Sequence, residues 1–187
     1  MQNYWDKAIS FDEYIQIANQ RLNNPENAKD LEYKPYYELG IQRMDRTLKK
    51  FVIDEDQLKE LQSKNFDGKI LIISEVWCGD ASATVPAFVK FFEGHNEVRI
   101  FLRDSDKTLI NQFLTNGTES IPKVIILNND FTVKNSWGPR PKYGKELLLK
   151  YKADPEGYPK DQFYNDLQIY YAKNRGKDAV QEILELL

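Results

Sequence analysis

One cysteine and one histidine stand among 187 residues, too few for a typical structural zinc site, and a single thiol excludes an internal disulfide framework. No apolar run approaches the roughly 18 to 20 residues needed to cross a bilayer. The longest runs, Ile70 to Ile73 and Val124 to Leu127, have the length of strands. Charge of one sign is not in excess either. The 26 lysines and arginines against 29 acidic residues give a net charge of -3, so nothing suggests a phosphate-neutralising surface for nucleic acid. The opening Met1-Gln2-Asn3-Tyr4-Trp5-Asp6 lacks the basic segment and apolar stretch of a secretory leader, so the cytoplasm is the expected location. Neither nucleic acid nor membrane is expected as a partner, and neither a metal nor an organic cofactor is implied. What is present suits an ordinary folded chain: 41% hydrophobic residues and 9 glycines provide for one core.

The first 65 residues read as mainly helical. Ser10-Phe11-Asp12-Glu13 forms a capping box, and Phe11, Tyr14, Ile15, Ala18 and Leu22 follow at helical spacing until Asn23-Asn24-Pro25. A second helix is expected from Pro35 to Lys50, with Tyr36, Tyr37, Ile41, Met44 and Leu48 as its apolar side. Asp54 caps a third, which carries Leu58 and Leu61 and ends before Asp67-Gly68.

From Lys69 the texture changes. The branched run Ile70 to Ile73 is of the type buried on both faces of a central sheet. Ala81 to Glu93 reads as a helix stopped by Gly94, Val98 to Leu102 as a second strand, and Asp106 to Leu114 as another helix. Val124 to Leu127 is a third strand, and the turn Asn128-Asn129-Asp130 leads into an antiparallel strand over Phe131 to Trp137. Helices are expected again from Pro141 to Lys152 and from Lys160 to the C-terminus.

The chemistry concentrates in Glu75-Val76-Trp77-Cys78-Gly79-Asp80-Ala81-Ser82, between the central strand and the helix after it. A cysteine at a helix start meets free backbone N–H groups and the positive end of the helix dipole, which favour the nucleophilic thiolate. Asp80 works in the opposite direction, because a neighbouring carboxylate disfavours a second anion.

This turn resembles that of the thioredoxin family, Trp-Cys-Gly-x-Cys, in the same position between strand and helix. Three further markers fit the family's pattern: Pro86 eight residues after the cysteine, Pro122 at 44 residues after it where the family has a cis-proline, and Gly138 sixteen residues further on. At average usage of about 5% proline and 7% glycine, three such coincidences arise by chance roughly twice in ten thousand. The resemblance implies an α/β thioredoxin-like fold, a central mixed sheet flanked by helices. It covers 51–151. Residues 1–50 and 152–187 are then helical extensions at the two ends, the second packed on the same domain.

Two departures change the expected chemistry. Ala81 stands where the family has its second, resolving cysteine, and Ile72 where it has a buried acid that serves the resolving step. A mixed disulfide on Cys78 would need an external thiol to release it. By the resemblance, Ile121 and the cis-proline Pro122 face the cysteine and offer backbone groups to an extended substrate. Ser136-Trp137-Gly138-Pro139-Arg140-Pro141 borders the same groove, with Trp137 as a stacking surface and Arg140 as a cation, while Trp77, Gly79 and Asp80 flank the other side. Two functions fit these residues. One is a monothiol oxidoreductase whose solvent-accessible Cys78 exchanges with protein or low-molecular-weight disulfides and thiols. The other is a non-catalytic binding or redox-sensing module that keeps the scaffold and groove. His95, after Gly94, reads as an exposed loop residue.

Overall fold

Ile70, Leu71, Ile72 and Ile73 are fully buried, each contributing about 1.5–3 kcal/mol of apolar burial. They form the centre of β1 (Lys69–Ser74). In the computed structural model, which describes all 187 residues, β1 lies between β2 (Val98–Leu102), parallel to it, and β3 (Lys123–Leu127), antiparallel. The hairpin strand β4 (Val133–Trp137) pairs with β3, giving the order β2-β1-β3-β4. Ile72 faces Ile100 on one neighbour and Val124 on the other, which makes it the middle of a mixed sheet. The sheet is flanked by helices in a thioredoxin-like arrangement.

The N-terminal helices begin with α1 (Gln2–Lys7), which docks Trp5 beside Phe131 and under the Arg99 guanidinium. Ile9 then exchanges both backbone hydrogen bonds with Ile100, at 2.8 Å each, covering the β2 edge that would otherwise remain unpaired. α2 (Phe11–Asn23) starts at the Ser10–Glu13 capping box. Its Tyr14 hydroxyl meets the Ser74 hydroxyl at 2.9 Å inside the core. α3 (Ala28–Lys50) is longer than the expected helix from Pro35. Asn27 caps it by accepting from the Asp30 N–H, and Tyr37 donates to the buried Asp30 carboxylate at 3.1 Å. These contacts start the helix two turns early despite the donor missing at Pro35. Tyr36 is also not part of its buried side, being 56% exposed.

α4 (Glu55–Lys64) begins at Asp54, which accepts from two backbone N–H groups. α5 (Gly79–Phe92) follows β1 and contains Pro86. The helix expected over Asp106 to Leu114 shrinks to a single 3-10 turn, Ile110–Gln112. Asp106 spends its carboxylate on the Thr108 N–H, and Asn116 and Gly117 adopt left-handed conformations between the paired Thr115 and Thr118. Such local side-chain bonds compete with helix continuation. C-terminal to the sheet, α6 (Lys142–Ala153) and α7 (Lys160–Asn174) pack together. The single helix expected from Lys160 onward is two helices, because Arg175 and Gly176 are both left-handed and turn the chain into α8 (Lys177–Leu184). α8 packs against α4 and α5.

Gly138 follows β4 with φ +125°, and a side-chain carbon there would lie 2.3 Å from the Pro122 carbonyl oxygen. Both the backbone region and the close approach require glycine. Gly138→Ala is expected to lower unfolding stability by about 2–4 kcal/mol, measured by denaturant titration.

Candidate functional site

A cleft of about 890 Å³ opens above the C-terminal end of β1. Its floor is Trp77, Cys78, Gly79 and Asp80, from the loop after β1 and the first turn of α5. One wall is a face of α3 with Tyr33, Tyr36, Gly40 and Arg43, and the facing wall is α7 with Lys160, Tyr164 and Gln168. The segment Thr118 to Ile121, with Pro139 and Arg140, completes the rim. α3 comes this close because of Gly40, where a side-chain carbon would lie 3.0 Å from the Val76 carbonyl oxygen.

Cys78 is the N-cap of α5. The Ile121–Pro122 peptide bond is cis, and the Cys78 thiol donates to the Ile121 carbonyl with Sγ at 3.4 Å. Cys78 as a whole is buried, 7% exposed. This corrects the expectation of a sulfur presented to solvent: α3 and α7 wall the turn in, and neither helix belongs to the pattern from which exposure was inferred. Ala81, in the position of a resolving cysteine, is also fully buried.

A family model described as thioredoxin matches residues 27–154, more than half of the sequence. The chain belongs to the thioredoxin family. The match takes in α3 as well as the sheet. In structure, this thioredoxin-family chain is similar to a protein of unknown function from Pseudomonas aeruginosa, with a TM-score of 0.65 at 16% identity over 97% of this chain and 92% of that one. It is likewise similar to an HIV epitope-scaffold, with a TM-score of 0.65 at 15% identity over 99% and 95% of the two chains. At such low identity these two show the fold alone. No curated protein matches the chain in sequence.

The electrostatics of this thioredoxin-family site turn on Asp80. Its carboxylate is buried and is held by Arg140 at 2.6 Å and by the Tyr171 hydroxyl at 2.8 Å. Burial pushes the Asp80 carboxyl above its usual range, while Arg140 and then Tyr171 draw it down. Arg140 is held above the usual guanidinium range by Asp80 against the cost of its own burial. Beside this pair the Cys78 thiol is pushed up to about 12, first by burial and second by the Asp80 charge. The backbone N–H groups of Ala81 and Asp80, and then Arg140, pull in the other direction without prevailing.

Of the other residues expected in the groove, Trp77 stands on the floor. Its ring lies 5.6 Å from Tyr33 and 5.0 Å from the Arg103 guanidinium. Gly79, Asp80, Ile121 and Arg140 also border the cleft, and Pro122 is buried beneath it. Trp137 is not a stacking surface. It is 4% exposed, packs edge-to-face on Phe88 and donates its indole N–H to Glu182 at 2.6 Å. Glu182 also accepts from the Lys142 N–H at the start of α6, so α8 draws this tryptophan into the interior, and Gly138 beside it stays off the cleft lining. Asp80 and Arg140 form a largely buried ion pair, with side chains 8% and 17% exposed.

Several site residues were not anticipated. Tyr33, Tyr36, Gly40 and Arg43 recur at three- and four-residue steps along one helix face, a signal that was present but was masked by the tyrosines' apolar character. Glu75 is fully buried, accepting from Arg21 at 3.1 Å and from the Asp104 N–H at 2.8 Å. Nothing in the sequence marks its partners. No cluster of three or more metal-ligating side chains is found.

The balance of charges around Cys78 sets two opposite expectations. Asp80→Asn removes a repulsion on the thiolate and leaves Arg140 unneutralised, so the thiol value falls and alkylation by iodoacetamide at pH 8 is expected to speed up about tenfold. Arg140→Gln is expected to slow it.

Proposed function

We propose that this thioredoxin-family protein is a binding module in which Cys78 is kept as a resting thiol, able to register oxidants or ligands but not poised for turnover. The observation that carries the reading is the sulfur's setting: buried, hydrogen-bonded to the Ile121 carbonyl, and pushed up to about 12. Burial and the Asp80 charge keep the thiol protonated near neutral pH, and the thiolate is the nucleophilic form. The missing partners agree with this, since Ala81 cannot resolve a mixed disulfide and Ile72 cannot accept a proton.

The second reading is monothiol exchange, supported by the position of Cys78 at the α5 N-cap and on the cleft floor. There the Cys78 thiolate would attack a protein or low-molecular-weight disulfide, forming a new S–S bond and expelling one thiolate. An external thiolate would then attack that bond, restoring Cys78 and carrying away the second half as a disulfide. In either reading the division into 51–151 and two helical extensions is part of the proposal, with the extensions supplying cleft walls, and the cytoplasm is the proposed location. No helix is long and apolar enough to cross a membrane.

The pH dependence of alkylation separates the two. For a resting thiol the rate should rise about tenfold per pH unit from 7 through 10 with no plateau, whereas exchange chemistry requires a plateau at or below the free value of ~8.5. A plateau in that lower range would overturn the module.

A further inference from the structure

The cleft carries one guanidinium that the protein leaves unmatched. Arg103 is paired with Asp104 and Arg140 with Asp80, but the Arg43 side chain makes neither an ion pair nor a hydrogen bond, and Asp80 acts on it only through space. It is nonetheless half-buried, close to Gly79 on the floor, and its value is lowered chiefly by desolvation. A cation withdrawn from water without a partner is unfavourable unless something else supplies the anion. Lys160 at the mouth is also free of ion pairs, and the lining as a whole carries four cations against three carboxylates. The excess of one positive charge, with Asp80 close by, favours a monoanion over a more highly charged group such as a phosphate dianion.

A second, independent observation concerns polar atoms. Five buried side-chain atoms in the protein lack a hydrogen-bond partner, and three of them belong to cleft residues: Trp77 Nε1, Arg140 Nε and Gln168 Oε1. Buried polar groups are nearly always paired, so three exceptions on residues of one cleft are polar atoms that a ligand would satisfy by turning their side chains toward it. Two are donors and one is an acceptor, asking for a ligand with more than one acceptor oxygen and at least one N–H or O–H. Tyr36 and Tyr164, 56% and 47% exposed on facing walls, offer apolar faces to the remainder. A volume of about 890 Å³ suits a small molecule.

We propose that the cleft binds a small monocarboxylate carrying an N–H or O–H donor and an apolar or aromatic body, with the carboxylate on Arg43 and the body between the α3 and α7 tyrosines. This deepens the binding-module reading and rests on it, but it does not depend on the ionisation of Cys78.

Three matched probes test it on the full chain and on Cys78→Ser: N-acetyl-phenylalanine, a monoanion; N-acetyl-phenylalaninamide, neutral; and phenylalaninamide, a cation. Affinities are measured by calorimetry, with two-dimensional NMR locating the contact. The anion is expected to bind at least about fivefold more tightly than the neutral amide, with the cation weakest. Its shifts should centre on Arg43, Trp77 and Gln168. Arg43→Gln should reduce the anion to the affinity of the amide, Arg43→Lys should restore part of the preference, and Lys152→Gln, on the exposed side of α6, should change nothing. Equal affinity across the three probes, an unchanged preference in Arg43→Gln, or no binding of any probe at about millimolar concentration would overturn the proposal. A thiol that proves reactive at neutral pH while the anion preference holds would overturn only the resting-thiol reading.

Discussion

Asp80 ties together three separated stretches of sequence at a position where the family's chemistry ordinarily takes place. Its carboxylate holds Arg140, from the segment between β4 and α6, and Tyr171, from α7, against the first turn of α5. Removing one partner from a buried pair of this type costs about 3–5 kcal/mol, because the survivor is left charged and unsolvated. The Tyr171 hydrogen bond to the same carboxylate ties α7 to the first turn of α5, and α7 supplies one wall of the cleft. The same carboxylate adds to burial in pushing up the neighbouring thiol, so the contact that builds the site also disfavours the thiolate.

The helix dipole and the N-cap position argue for a reactive cysteine, and those features are present. Burial outweighs them. Desolvating a thiolate penalises the charged form more than a partly satisfied helix terminus can offset, and Asp80 adds to the penalty rather than relieving it. A thioredoxin-like turn thus favours thiol chemistry but does not ensure it, since the decision rests with what covers the turn.

The parts legible in the sequence were those set by local pattern. Ile70 to Ile73 announced a central strand because every side chain in it is apolar, and Ser10-Phe11-Asp12-Glu13 announced a helix start through a bond spanning three residues. Cys78, Gly79 and Pro122 were identifiable from their spacing. What escaped was set by contacts between distant segments. Trp137 looked like a platform until Glu182, 45 positions later, drew its indole inward. Arg43 and Tyr33 lay outside the stretch with recognisable offsets. The division of the C-terminal helix at Arg175 and Gly176 depends on a left-handed pair that interrupts an otherwise continuous helical pattern.

The contribution of α7 and α8 has a consequence for how the chain is made. Ala179, Val180, Ile183 and Leu184 of α8 are fully buried in the same core as Ile70 to Ile73, so the sheet completes its packing only once the last helix has been synthesised.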